Sequence, residues 1–156
     1  MIRVQQEDFD VGAELAALTA GRTDVGGVTS FVGLVRDMVG GVGAGGTKIA
    51  AMTLEHYPGM TEKALAAIEA EALARWPLNA SLIIHRYGRL APGDRIVLVA
   101  TASAHRDAAF DACRFLIDWL KTKAPFWKLE DTEHGAKWVD ADAKDDAAAA
   151  RWVEKS

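Results

Sequence analysis

The periodicity of apolar and polar positions changes several times along the chain, which indicates a mixture of helices and strands. Amphipathic spacing of three and four residues predicts helices at 11–20, 60–76 and 106–122, followed by an alanine-rich terminal helix from Asp140. Asp10 and Thr61 are candidate N-caps for the first two helices, and Gly21 and Pro125 end the first and the third. The second and third helices are the two long ones.

β-branched and aromatic residues concentrate between these helices, which favours strands. Pro92-Gly93, residues 134–135 and the glycine-rich stretch 39–46 are turn signals, and Gly33 predicts a bend within a strand. The predicted strands cover 2–5, 26–36, 48–57, 78–89 and 95–103, and 126–140 forms a last hairpin. Because hairpins rather than strict βαβ units alternate with the helices, we expect an α+β fold, a single domain spanning all 156 residues with a mainly antiparallel sheet.

Composition narrows the cellular setting. The single cysteine cannot form an internal disulfide, so the chain is expected in a reducing compartment, the cytoplasm. The first thirty residues lack the basic and apolar regions of a signal peptide, and no later run approaches the ~20 apolar residues of a membrane span. We therefore expect a soluble cytoplasmic protein that has no contact with a membrane.

The net charge of −4 is unevenly distributed. Residues 1–84 hold six Lys/Arg against ten Asp/Glu, residues 85–128 hold eight against four, and residues 129–156 hold four against eight. The central block is thus basic inside an acidic chain. An acidic chain without an extended basic face gains little counterion-release affinity for nucleic acid, so we expect no nucleic-acid partner. A small anionic ligand suits the central block better.

Three other patterns carry less weight. Residues 41–46 match G-x-G-x-x-G, but a strand rather than a helix follows, so a hairpin tip is the better interpretation than a dinucleotide site. Cys113 lies in the apolar stripe between Phe110 and Ile117, which favours core packing over a nucleophilic role. No metal site or cofactor is expected, because metal-ligand spacing is absent among His56, His85, His105 and His134.

The stronger candidates are basic clusters at His85-Arg86-Arg89, at His105-Arg106, and at 121–130. Free N–H groups at a helix start favour anions, and His105-Arg106 adds donors there.

In the last cluster, Pro125 forces a turn that can bring Lys121 and Lys128 to one surface, with Phe126 and Trp127 as apolar walls. Lysines in such walls can have a lowered pKa and act in proton transfer.

Arg106 and Lys121 are fifteen residues apart, or roughly 22 Å along a continuous helix. One small ligand cannot touch both. If both serve one substrate, either the helix is broken or the His105-Arg106 end comes from a neighbouring subunit; we favour a site shared across a homodimer.

Several motifs, in this order and spacing, resemble those of the MoaE family, the large subunits of molybdopterin synthase. They are Phe31-Val-Gly-Leu-Val-Arg36, Leu54-Glu-His-Tyr-Pro-Gly-Met60, Ile84-His-Arg-Tyr-Gly-Arg89, Ser103-Ala-His-Arg106, and Lys121-Thr-Lys-Ala-Pro-Phe-Trp-Lys128. The resemblance covers nearly the whole chain and implies a hammerhead-like α+β fold. It implies transfer of two sulfurs to cyclic pyranopterin monophosphate, which forms the dithiolene of molybdopterin.

The resemblance also implies partners and site residues. The sulfur donor would be a small ubiquitin-like subunit with a C-terminal thiocarboxylate, bound at each end of a homodimer of large subunits to give a heterotetramer. Lys121 and Lys128 would be catalytic, with Lys121 beside the partner's glycine tail. Substrate-binding positions would be Leu34, Val35, Arg36, His105, Arg106, Leu129 and Glu130, with His105-Arg106 gripping the anionic pterin from the other protomer.

A non-catalytic docking module is the alternative, since the same basic groove could bind a carboxylate-ended peptide or a ubiquitin-like partner. Docking alone would tolerate the loss of one lysine. The presence of Lys121, Lys128 and Arg36 together therefore favours the enzyme.

Overall fold

A computed structural model describes residues 1–39, 47–139 and 143–153. The strands are β1 (Ile2–Gln5), β2 (Gly27–Leu34), β3 (Met38–Val39), β4 (Thr47–His56), β5 (Leu78–Arg86), β6 (Gly88–Leu90), β7 (Arg95–Ser103), β8 (Phe126–Thr132) and β9 (Gly135–Val139). The helices are α1 (Val11–Thr19), α2 (Met60–Arg75), α3 (Arg106–Lys123) and α4 (Ala143–Ala150). Among these helices, none is long and apolar enough to cross a membrane.

The first sheet has the strand order β1-β5-β7-β2. Its pairs are antiparallel except β1 with β5, which run parallel. Successive side chains of a strand point to opposite faces, and both faces of the central strands are apolar. Leu82 and Ile84 pack with Phe9 and the α1 side chains, whereas Ile83 packs with Phe115 and Leu116 of α3. Helices therefore cover this sheet on both faces.

The second sheet has the order β3-β4-β8-β9, and β6 pairs with β4. All of its pairs are antiparallel. Met52 and Leu54 of β4 pack with Leu90 of β6 and with Val35, which follows β2 of the first sheet. This small cluster joins the two sheets, and Val35, Met52 and Leu54 line the site described below.

The α+β prediction is confirmed, but the β structure is divided into two sheets. The predicted strand 78–89 is wrong at its end, because β5 stops at Arg86 and β6 pairs with the other sheet. Gly88 makes this change of direction, since its φ of +92° lies in the left-handed region that favours glycine. The predicted bend at Gly33 is confirmed as a register shift between Gly33 and Leu34.

Of the two predicted N-caps, the structure confirms one and contradicts the other. The Asp10 side chain accepts a hydrogen bond from the Ala13 N–H at 3.0 Å, which confirms this N-cap. Thr61 is not a cap: α2 is capped at Gly59, whose N–H donates to Glu62, and the Thr61 hydroxyl donates to the Tyr57 carbonyl inside the first turn. The predicted glycine-rich tip and the start of the terminal helix at Asp140 lie outside the described residues.

Cys113 belongs to the core, as predicted. It lies on α3 at 4% exposure, within the cluster that contains Phe115 and Leu116. Burial raises the pKa of its thiol to about 11, so the thiolate fraction at neutral pH is very small. This cysteine is therefore unsuited to act as a nucleophile or sulfur carrier.

Trp152, which follows α4, attaches the C-terminal segment to the core. Its ring packs edge-on against Trp76 and Phe115, and its Nε1–H donates to the Asp118 carboxylate at 2.7 Å. We expect Trp152→Ala to lower the free energy of unfolding by about 3–5 kcal/mol, because a large buried side chain and its hydrogen bond are lost. Urea unfolding measures this change.

The matched control is Leu73→Ala on the exposed side of α2, which should cost less than about 1 kcal/mol. Equal stability of the two variants would show that the C-terminal segment is not docked as described.

Candidate active site

A cavity of about 490 Å³ lies where both sheets meet the C-terminal end of α3. Most of its wall is apolar and comes from β2, β4, β7 and α3. The polar and charged side chains that line it are Arg36, His85, Lys121, Lys128, Glu130 and Asp145. A mainly apolar pocket with a few convergent charged groups is the usual form of a small-molecule site.

The two lysines meet in this cavity because the chain reverses between them. Lys121 lies in the last turn of α3, and the helix ends at Ala124, whose backbone is extended before Pro125. The Phe126 N–H donates to the Ala124 carbonyl at 2.9 Å and starts β8, which carries Lys128 back past the helix end. The structure thus brings together the two residues that the sequence proposed as catalytic.

Successive side chains of β8 point alternately into the cavity and away from it. Phe126, Lys128 and Glu130 line the cavity. Trp127 and Leu129 lie on the opposite face, as the two-residue period requires. Leu129 pairs with Thr53 of β4 and Trp138 of β9, and its side chain is not part of the cavity wall. Among the predicted positions on β8, the structure therefore places Lys128 and Glu130 in the site but not Leu129.

Leu34, Val35 and Arg36, for which the family resemblance implied substrate binding, line the cavity. Two backbone hydrogen bonds fix Val35. Its N–H donates to the Asp94 carbonyl at 2.9 Å, and its carbonyl accepts from the Gly93 N–H at 2.8 Å. The bulge after Gly33 and these two hydrogen bonds fix where Arg36 leaves the sheet. The guanidinium therefore comes from a segment whose backbone is set by the turn that contains Gly93 and Asp94.

His105 and Arg106 lie at the far end of α3 and do not line the cavity. The helix runs without a break over 18 residues from Arg106 to Lys123. Of the two explanations open to the sequence, a broken helix is therefore wrong. Within a single chain, Arg106 and Lys121 cannot contact one small ligand.

The charges in the cavity influence one another. Burial is the main cause that lowers the pKa of Lys128, and the positive charges of Lys121 and Arg36 lower it further. Asp145 and Glu130 act in the opposite direction. Asp145 comes from α4, so the docking of the C-terminal segment by Trp152 supplies one of the two carboxylates in the cavity. A lysine with a lowered pKa exchanges protons more readily at neutral pH.

His85 is a cavity residue that sequence reasoning placed only in a basic cluster. It is 5% exposed, and its ring stacks on Phe126 with centroids 3.7 Å apart and planes 16° apart. Burial, with Lys128 and Lys121 nearby, lowers the pKa of His85 to about 4, so the ring is neutral at pH 7. His85 lies two residues after the core residue Ile83 on β5, on the same face of the strand. In the sequence, this spacing was the signal from which its burial could have been predicted.

The other members of that cluster do not line the cavity. Arg86 donates to the backbone carbonyls of Gln6 and Arg95, and Arg89 forms an ion pair with Asp131 at 3.4 Å. Among the described residues, no group of three or more His, Cys, Asp or Glu side chains is placed to hold a metal ion.

Comparison with known proteins finds a matching family model and similar sequences. The family model MoaE, "MoaE protein", matches residues 4–123. The molybdopterin synthase catalytic subunit of Ralstonia nicotianae is 58% identical over 151 residues, covering 97% of this chain and 83% of that protein. The molybdopterin synthase catalytic subunit of Pseudomonas aeruginosa is 59% identical over 153 residues, covering 98% of this chain and 99% of that protein.

A solved structure adds the fold to the sequence match. The molybdopterin biosynthesis MoaE protein from Burkholderia ambifaria superposes with a TM-score of 0.82 at 54% identity, covering 98% of this chain and 97% of that one. The similarity thus extends over nearly the whole chain. This chain belongs to the MoaE family.

Proposed function

We propose that this chain is the catalytic subunit of a molybdopterin synthase and that it acts as a sulfurtransferase in molybdenum cofactor biosynthesis. The reaction moves two sulfurs to cyclic pyranopterin monophosphate, one from the C-terminal thiocarboxylate of each of two small ubiquitin-like subunits, and each subunit leaves as its carboxylate. The observation that carries the proposal is the convergence of Lys121, Lys128 and Arg36 in one largely apolar cavity. The kinship with catalytic subunits of molybdopterin synthase supports the same reaction.

The chemistry needs cations at three places. A thiocarboxylate is an anion, and Lys121 at the end of α3 orients it. The cyclic phosphate is a second anion, which suits the fixed fork of the Arg36 guanidinium. Lys128 stabilises the charge that develops as sulfur adds and oxygen leaves, and its lowered pKa eases proton transfer to the leaving oxygen. The apolar part of the wall lowers the effective dielectric around these groups, which strengthens their interactions.

Glu130 and Asp145 balance the cations of the cavity. Both carboxylates favour the charged form of Lys128. Without them, burial and the neighbouring cations would shift this lysine further toward the neutral amine. Glu130 therefore contributes to the site by favouring the charged form of Lys128. The reaction is assigned to the cytoplasm, where the buried Cys113 stays reduced.

His105 and Arg106 are proposed to serve the cavity of a second copy of this chain. The unbroken α3 separates them from Lys121, and the anionic pterin needs further donors beyond those of one cavity. In a homodimer with two-fold symmetry, each chain would give this helix start to its neighbour. With one small subunit at each cavity, the assembly is a heterotetramer.

A mixture of two inactive variants tests this arrangement. Arg106→Ala and Lys121→Ala proteins are each expected to lose most activity. After random exchange of subunits, half of the dimers are mixed, and each mixed dimer has one intact site. Roughly a quarter of the wild-type activity should return on this count.

If Arg106 and Lys121 served the same chain's cavity, every site in the mixture would carry one defect and no activity would return. Mixing each variant with itself under the same conditions is the control.

The proposed function itself is tested by reconstitution. The protein is mixed with a thiocarboxylated small subunit and cyclic pyranopterin monophosphate, and molybdopterin is measured. Formation of product with multiple turnovers is expected. Binding of the small subunit without any product would mean that the chain is a docking module instead.

A further inference from the structure

β2 is an edge strand of the first sheet. Among the described strands it pairs only with β7, so the backbone groups along its outer side have no strand partner in that part of the chain. Proteins usually protect a long exposed edge with charged residues or proline, because it would otherwise pair with another chain. The eight residues Gly27–Leu34 include neither. This composition is typical of a strand whose edge is covered by another strand.

Large apolar side chains are exposed along the same edge. Val28, Phe31 and Leu34 of β2 and Phe110 of α3 are between 39% and 60% exposed. Phe110 precedes Ile117 by two helical turns, and Ile117 lines the cavity together with the end of β2. Phe110 therefore lies on the side of α3 that faces β2. Large apolar side chains left exposed together mark a surface for protein contact.

The two ends of β2 lie beside different parts of the molecule. Its start lies beside the start of α3, since a Cβ at Gly26 would overlap the Ala104 carbonyl oxygen. His105 and Arg106 follow directly, and both are exposed. The last four residues of the strand, 31–34, line the cavity. β2 thus separates the start of α3 from the cavity by about 25 Å, the length of an eight-residue strand.

A second copy of the chain can remove this separation. Rotation about a two-fold axis perpendicular to the sheet pairs β2 antiparallel with β2 of the second copy. The start of each β2 then lies opposite the end of the other, at the strand spacing of about 5 Å. His105 and Arg106 of each copy therefore reach the cavity of its neighbour, near Leu34 and Arg36.

We propose that the β2 edge is the homodimer interface of this chain, with the two copies of β2 paired antiparallel about the middle of the strand. Val28, Phe31 and Phe110 are covered in this interface, and the two four-stranded sheets become continuous. β2 and residues 104–114 supply about twenty residues per copy, as one side of a standard stable interface does. What His105 and Arg106 do at the neighbour's cavity rests on the proposed function, whereas the strand pairing does not.

A cross-link at the middle of β2 tests the pairing on the protein alone. Ser30 is exposed and does not line the cavity. In Ser30→Cys, the new thiol lies opposite or diagonal to its own copy, within about 8 Å. A bismaleimide of that span should give a covalent dimer of twice the mass. The wild-type protein, whose Cys113 is buried, and Ala66→Cys, on the exposed side of α2, should give none.

A second cross-link tests the direction of the strands. Antiparallel pairing brings Leu34 of one copy close to Ala104 of the other, although the two residues lie at opposite ends of β2 within one chain. A mixture of Leu34→Cys and Ala104→Cys proteins should therefore form a covalent dimer after subunit exchange. Either variant alone should form little, because its two thiols lie far apart across the interface.

Charge placed in the apolar patch should separate the copies. Val28 and Phe110 are exposed in one chain and do not line the cavity, so Val28→Glu and Phe110→Glu should fold normally. Each should raise the dissociation constant of the dimer by about 30-fold or more, measured by analytical ultracentrifugation. Leu73→Glu, on the exposed side of α2, should leave it unchanged. Activity of the two interface variants should fall on dilution and return when the protein is concentrated enough to dimerise.

Three results would overturn the proposal: a monomeric wild-type protein, a dimer in which Ser30→Cys does not cross-link, or a dimer that Val28→Glu and Phe110→Glu leave intact. Cross-linking of Leu34→Cys to itself, in place of Ala104→Cys, would contradict the antiparallel direction. If the chain dimerises through β2 but makes no molybdopterin, the proposed function fails while the interface stands.

Discussion

Replacing Lys121 by alanine is expected to reduce molybdopterin formation by about 10²- to 10³-fold while the dimer stays folded. Lys121 is the cation that the end of α3 delivers to the cavity, and the truncation leaves an anionic thiocarboxylate without its partner in an apolar wall. Burial of an unpaired charge is costly, so the tail would bind in unproductive positions. Single-turnover formation of product, with the small subunit in excess, measures the effect.

Lys123→Ala is the matched control. Lys123 lies in the same last turn of α3, but its ammonium group lies 5.1 Å from the ring centroid of Trp119 and it does not line the cavity. This variant should keep near wild-type turnover. Near-normal activity in Lys121→Ala would remove Lys121 from the chemistry, and equal losses in both variants would indicate a general effect of the helix end.

Replacing Lys128 by methionine is expected to reduce turnover by at least about 100-fold. Methionine keeps the length and apolar stem of the side chain, so packing against Leu54 and the neighbouring strand survives. The charge and the exchangeable proton are lost. The free energy of unfolding should change by less than about 1 kcal/mol, because an exposed lysine is replaced rather than a core residue.

Leu129→Ala is the control for Lys128, since its side chain lies on the opposite face of β8. The steady-state rate of Lys128→Met is compared with that of Leu129→Ala to test whether Lys128 is catalytic. A rate in Lys128→Met that equals the rate in Leu129→Ala would contradict the assignment of Lys128.

The meeting of Lys121 and Lys128 could be predicted from the sequence because the cause is local. Pro125 cannot continue a helix, and the residues after it alternate as a strand does, so the chain must return past the helix end. This prediction needed no knowledge of distant parts of the chain. Arg36 closes the predicted glycine-containing strand, but its place in the site was implied only by the resemblance to the MoaE family.

His85 and Asp145 could not be placed in this way. In the sequence, His85 follows the core residue Ile83 in the same alternating row, which predicts only a buried position; its stacking on Phe126, a distant residue, takes it into the cavity. Asp145 enters because Trp152 docks on Trp76 and Phe115. Gly88 begins β6 two residues after β5 ends, and the pattern contains no sign that these two strands belong to different sheets.

The origin of the transferred sulfur tests the account most directly. Cys113 is the single cysteine of the chain and is buried in the core, so the protein has no accessible thiol from which to supply sulfur. The small subunit is prepared with ³⁴S in its C-terminal thiocarboxylate, the reaction is run with unlabelled cyclic pyranopterin monophosphate, and the product is analysed by mass spectrometry. We expect both dithiolene sulfurs of molybdopterin to carry the label. Unlabelled product, or no product in a mixture in which the small subunit binds, would contradict the account.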